Sequence, residues 1–189
     1  DENTATKLQQ QITSLREDLD NGVYSTPAIL NLKTIPRATV TIKQGDVTLA
    51  GTADAKGNLT MNPGKLGNWT ITVKSANATY TDTFTVEAIS IFGKIFPGLS
   101  TMKPADINVV GQAGVARELF NIGDTVNVTL TDGEVITLRL EDFDHDDLVA
   151  GGKAKMSFMM VDCLNTIAKM NATDTNAGGW NSSAMRSSM

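Results

Sequence analysis

The stretch WTITV, residues 69–73, indicates the fold class because apolar and polar residues alternate along it. The same alternation occurs in YTDTFTV at 80–86 and in two shorter runs at 39–43 and 47–49. A period of two places successive side chains on opposite faces of a β-strand. Turn-forming residues separate the runs at 44–46, 55–58 and 62–64. The pattern predicts a small antiparallel β-sandwich over 27–88, with Trp69 and Phe84 facing inward.

The composition narrows the functional class. The 189 residues carry a net charge of −5. No basic cluster is present in the sequence, which argues against nucleic acid as a partner because phosphate binding needs Lys and Arg. No apolar run approaches the roughly 18 residues of a membrane span, so we expect no membrane insertion. The single cysteine, Cys163, excludes an intrachain disulfide framework and is predicted to be a small buried apolar residue.

The first segment, residues 1–22, is predicted to be a helix. Apolar residues follow one another at intervals of three and four, which is the seam of a short coiled coil, at Ala5, Leu8, Ile12, Leu15 and Leu19. A helix this short is marginal alone in water, so we expect it to associate with copies of itself. A trimer would suit a fibre, although Ile and Leu at these positions also allow a dimer. The alternative is a helix packed on its own domain.

The third segment, residues 89–189, is predicted to form a small α+β domain. TVNVTL at 125–130 and VITLRL at 135–140 flank an Asp-Gly turn and predict a β-hairpin. A short helix or a turn is expected to open near Pro104, and a brief helix is expected within 114–120. MSFMM at 156–160 is a further apolar stretch, and 161–170 is predicted to be helical. The expected architecture is therefore mainly β, with a coiled-coil helix, a sandwich and an α+β domain in sequence.

Two resemblances suggest a biological setting. ATVTI at 38–42, LAGTADAKGNL at 49–59 and GNWTITV at 67–73 resemble the prealbumin-like (carboxypeptidase regulatory-like) modules of bacterial surface and phage proteins. This resemblance implies a spacer or adhesive module without chemistry of its own.

FNIGD at 120–124, FDHDDL at 143–148 and MN at 170–171, followed by DTNAGGWNSSAMR at 174–186, carry the second resemblance. These strings resemble a domain of unknown function from the C-termini of prophage tail and surface proteins of gut Firmicutes. Members of that family continue well beyond the residue matching Arg186. The resemblance therefore implies that the last domain is incomplete or abbreviated here.

The acidic run around Asp144, His145 and Asp146 is a candidate metal site. Its carboxylates could hold Ca²⁺, or a transition ion together with the imidazole. The spacing is not that of an EF-hand loop, and no other cofactor is expected. The alternative is a solvated loop in which Lys, Arg or backbone donors balance the repelling carboxylates. A metal-dependent hydrolase using these three residues is a third hypothesis, without a recognisable nucleophile to support it.

The Gly-Gly-Trp loop is a candidate ligand-binding surface, formed by Asn176, Trp180, Asn181 and Arg186. An indole among amide side chains can contact sugar or protein. The alternative is that Trp180 packs inside its own domain while the Asn and Asp side chains form Asx turns.

Together these features predict a non-catalytic protein of a virion, of the tail or fibre type, or of the cell surface. We expect it to self-associate, as a homotrimer in preference to a dimer, and to attach to a neighbouring virion protein or a host surface. The alternative is a bacterial cell-surface adhesin that binds glycan or matrix.

Overall fold

The computed structural model describes residues 2–20, 28–87, 91–165, 171, 177–184 and 186. Its helices are α1, α2 and α3, at Glu2–Asp20, Pro104–Gln112 and Ala116–Leu119. The strands β1 to β7 are Ile29–Lys33, Thr39–Gln44, Val47–Thr52, Asn58–Met61, Gly67–Lys74, Thr79–Val86 and Ile91–Ile95. The strands β8 to β10 are Thr125–Thr129, Val135–Asp142 and Ser157–Met160. The mainly β fold class is confirmed, whereas the sandwich and the coiled coil stay predictions.

The period-two runs form the largest sheet of the described residues. Its strand order is β3-β2-β5-β6 and all its pairs are antiparallel. Trp69 lies opposite Phe84 in the β5–β6 pair. A second sheet has the order β4-β1-β7, in which β4 runs antiparallel and β7 parallel to β1.

Buried side chains from these two sheets belong to one hydrophobic cluster, among them Leu30, Leu32, Val40, Ile42, Trp69, Ile71 and Val73. Trp69 is inward-facing as predicted, and its indole N–H donates to the carbonyl of Lys65 at 3.0 Å. Phe84 is partly buried, and its ring centroid lies 6.0 Å from that of Phe92 on β7. Asp82 and Lys94 form an ion pair of 2.8 Å between the same two strands. The two sheets therefore meet along β6 and β7.

A third sheet, with the order β10-β9-β8, contains the predicted hairpin. Leu130 N donates to Glu134 O at 2.8 Å and closes the Asp-Gly turn between β8 and β9. Val126 and Leu140 of this sheet are buried with Val110 of α2 in the cluster described above. The apolar core therefore runs from the first two sheets through α2 to the hairpin.

Asp106 joins α2 to the four-stranded sheet. Its buried carboxylate accepts hydrogen bonds from three uncharged donors, Ser75 Oγ at 2.8 Å, Asn77 Nδ2 at 2.7 Å and the Tyr80 hydroxyl at 2.5 Å. The Tyr80 oxygen in turn accepts from the backbone N–H of Lys103 at 3.0 Å. These bonds fix the start of α2 against the turn between β5 and β6.

The structure differs from the sequence predictions for the third segment at two places. Residues 91–95, which lie beyond the predicted boundary at residue 88, form a strand that the sequence did not indicate, and this strand pairs with β1 of the second segment. Residues 161–165 form bends and irregular backbone instead of the predicted helix, and the rest of that prediction, 166–170, lies outside the described residues.

Candidate functional site

The described side chains of α1, at positions 4–14 and 16–17, are all exposed. Among the seam residues, Leu8 is 57% and Ile12 is 38% exposed, and Ala5 is open to solvent as well. The side chains of Leu15 and Leu19 are not among those that the structure describes. The described part of the seam is thus an apolar strip in contact with water rather than with the sheets.

The acidic loop, residues 142–147, forms several ion pairs with Lys and Arg side chains. Lys155 Nζ lies 3.0 Å from Asp144 Oδ1, and Arg117 Nε lies 3.8 Å from Asp144 Oδ2. Lys153 Nζ lies 2.7 Å from Asp147 Oδ1 and also donates to the carbonyl of His145 at 3.0 Å. The carboxylates of Asp144 and Asp147 are therefore balanced by Lys and Arg, which is the arrangement expected of a solvated loop.

His145 and Asp146 are neighbours in space as well as in sequence. His145 Nδ1 lies 3.1 Å from Asp146 Oδ1, and the Ser157 hydroxyl donates to the other oxygen of that carboxylate. The hydrogen bond from Ser157, followed by that from His145, lowers the pKa of Asp146. Among the residues that the structure describes, no three His, Cys, Asp or Glu side chains are grouped so as to hold a metal ion.

The Gly-Gly-Trp loop presents its indole to solvent. Gly178 and Gly179 have φ of +79° and +59°, which turns the chain into a short 3₁₀ helix, Trp180–Ser182. Trp180 is 48% exposed, so any packing within its own domain is partial. Arg186 Nη1 donates to Asn181 Oδ1, which brings two of the predicted binding residues together. Asn176, the fourth predicted residue, lies outside the described part of the chain.

An apolar groove opens between α2 and the third sheet. It has a volume of about 700 Å³ and is lined mainly by apolar side chains from α2, from all three strands and from the segment before β10, including Ile107, Val126, Val128, Leu138, Met156 and Phe158. Such a volume and lining are typical of ligand-binding clefts. We call this feature the α2 groove.

The sequence analysis did not predict the α2 groove. The available signal was the apolar face of the hairpin and of the stretch 156–160, but how much of that face α2 would cover is a tertiary property. Cys163 also differs from expectation, since it is exposed rather than buried.

Comparison with known proteins gave no match to any family model and none to a curated protein. None of the helices described is long and apolar enough to cross a membrane.

Proposed function

We propose that this chain is a non-catalytic structural protein of a phage or prophage virion, of the tail or fibre type. It self-associates through α1 and attaches to a neighbouring virion protein or a host surface. The observation that carries the proposal is the exposed apolar strip on α1, where Leu8 and Ile12 are 57% and 38% open to solvent. The virion setting rests on the sequence resemblance of residues 120–186.

Self-association would bury the apolar strip on α1 against the same strip of another copy. The helix has 19 residues, so it is about 28 Å long, and a helix of that length is marginal when isolated in water. Packing of a and d side chains between parallel copies would bury the strip and stabilise the helix. A trimer fits a fibre-type role better than a dimer does. In this proposal the two sheets of residues 29–95 form an Ig/prealbumin-like sandwich that acts as a spacer.

The test is to isolate particles released from the encoding strain, crosslink them with an amine-reactive reagent and probe them with an antibody to this chain. We expect the chain in the particle fraction, as crosslinked species at multiples of the mass of the uncrosslinked chain. A chain that is confined to the cell envelope, or that keeps its uncrosslinked mass in crosslinked particles, would contradict the proposal.

A cell-surface adhesin is the second candidate, and the exposure of Trp180 favours it. A half-exposed indole beside Asn181 and Arg186 offers both apolar surface and hydrogen-bonding groups, as carbohydrate contacts require. The matching experiment is a glycan array with the wild-type chain and Trp180→Ala. Binding that disappears in the variant supports the adhesin, and an array that stays blank for both chains removes it.

A further inference from the structure

The third sheet ends at β10 among the described strands, and β10 leaves backbone groups available for pairing. Met159 lies opposite Arg139 on β9, and Val161 N donates to Thr137 O at 2.9 Å. Because N–H and C=O groups alternate in direction along a strand, those of Met160 point away from β9, toward the free edge. A free strand edge is a template for a further strand.

The face that this edge would extend is apolar and only partly covered. Met160 lies opposite Leu138, and Phe158 lies opposite Leu140, so these side chains share one face of the sheet. Leu140 is fully buried, whereas Leu138, Phe158 and Met160 are only partly buried. Leu138 and Phe158 line the α2 groove. The groove therefore adjoins the free edge, on the face to which an added strand would direct alternate side chains.

The charges near the groove are already neutralised within the chain. Lys153 and Lys155 line it, but Lys153 pairs with Asp147 at 2.7 Å and Lys155 pairs with Asp144 at 3.0 Å. The other polar residues of the lining are the amides Asn108 and Gln112 on α2. A charged group placed in the groove would lose its hydration without gaining a new partner. The charge balance thus favours an uncharged, apolar occupant.

We propose that a partner protein binds here through an extended segment that adds to β10 as a fourth strand and places uncharged apolar side chains, two residues apart, in the α2 groove. The free edge would form hydrogen bonds with the peptide backbone of the partner, and the groove would determine which side chains fit. This inference names the attachment surface, and it rests on the attachment role proposed above. It does not depend on self-association through α1.

The probe is a fluorescein-labelled peptide, Ser-Val-Ser-Leu-Ser-Val-Ser followed by two Lys for solubility, measured by fluorescence anisotropy against the full chain. The control peptide has Ser in place of Val and Leu. Met160→Pro removes the N–H at the free edge while leaving the ladder with β9 intact, because proline is tolerated on edge strands. Met160→Leu is its matched control. Asn108→Glu, at an exposed position on α2, places a charge at the groove without touching β10.

We expect saturable binding of the alternating peptide to the wild-type chain and to Met160→Leu, and at least tenfold weaker binding of the serine peptide. Met160→Pro should weaken binding at least tenfold, and Asn108→Glu should weaken it several-fold. If Met160→Pro unfolds, as judged by circular dichroism, Asn108→Glu decides the question.

Three results would overturn the inference. The first is equal binding by both peptides, or no binding of either. The second is uptake of Nile red by the groove without any peptide binding, which would indicate a small apolar ligand. The third is a dimer that Met160→Pro abolishes, which would indicate a second copy of this chain as the occupant. A wild-type monomer that still binds the peptide would contradict self-association and leave this inference intact.

Discussion

The carboxylate of Asp106 is buried with donors that are all uncharged, Ser75, Asn77 and the Tyr80 hydroxyl. Removing this acceptor is costly, because the buried Tyr80 hydroxyl is then left without its acceptor in a low-dielectric site. No sequence motif predicted this cluster, since its members come together only when α2 packs on the turn between β5 and β6. We therefore regard Asp106 as a main determinant of how α2 is placed.

Asp106→Ala is expected to lower the free energy of unfolding by about 2–4 kcal/mol. Asp106→Asn should cost less, because its amide oxygen still accepts one or two of the bonds. The control is Asp46→Ala in the exposed β2–β3 turn, which should change stability by less than about 0.5 kcal/mol. Urea denaturation followed by circular dichroism measures all three. Equal effects of Asp106→Ala and Asp46→Ala would contradict the role assigned to Asp106.

Tyr80 gives the fold a dependence on alkaline pH. Burial, together with the hydrogen bond to Asp106, raises the pKa of Tyr80 from 10.0 to about 12. Between these values the unfolded chain loses the phenolic proton while the folded chain keeps it. The contribution of Tyr80 to stability is therefore complete below pH 10 and declines as the pH rises toward 12.

Tyr80→Phe isolates this effect from the titration of other groups. The difference in unfolding free energy between the wild type and Tyr80→Phe should shrink as the pH is raised from 10 to 12. Urea denaturation at a series of pH values measures that difference. A difference that stays constant over the interval would show that the Tyr80 pKa is not raised in the folded state.

At the scale of elements, the turn before β4 depends on a close approach between the backbones of Gly57 and Thr34. Gly57 has φ of +77°, and a Cβ at this position would lie 2.1 Å from the carbonyl oxygen of Thr34. Thr34 N also donates to Gly57 O at 2.8 Å, so the two backbones are fixed close together. The turn predicted at 55–58 thus needs glycine at position 57, both for its conformation and for the space.

Gly57→Ala is expected to destabilise the fold at least twice as much as Gly45→Ala. Gly45 also has a positive φ, +55°, but a Cβ there would meet no atom within 4 Å. The strain at Gly45 alone should cost about 1 kcal/mol. Chemical denaturation of the two variants makes the comparison, and equal losses would mean that the approach to Thr34 is not tight.

Much of the element structure could be predicted from sequence, because period-two runs and turn residues are local signals. They correctly indicated β2, β3, β5, β6 and the β8–β9 hairpin. The strand β7 was missed because IFGKIF, at 91–96, does not alternate polar with apolar residues and pairs in parallel with the distant β1. The α2 groove was missed because it depends on how far a helix covers a sheet. The ion-pair partners of the acidic loop could not be named from the sequence, because Lys153, Lys155 and Arg117 reach it only in the folded chain.

At the scale of the whole molecule, one hydrophobic cluster links the first two sheets to α2 and the hairpin. Segments that share a core are expected to unfold together. Hydrogen exchange with increasing urea should therefore show β5 and β9 losing protection in one transition. Loss of protection in β9 at clearly lower urea would instead favour independent units at 27–88 and 89–189.

The most direct test of the central claim is the mass of the unmodified chain by sedimentation equilibrium, with Leu8→Asn/Ile12→Asn and the matched pair Gln10→Asn/Ser14→Asn from outside the seam. We predict about three times 20.1 kDa for the wild type and the matched pair, and 20.1 kDa for the seam variant. A wild-type mass of 20.1 kDa at every concentration, or a seam variant that keeps the wild-type mass, would contradict self-association through α1.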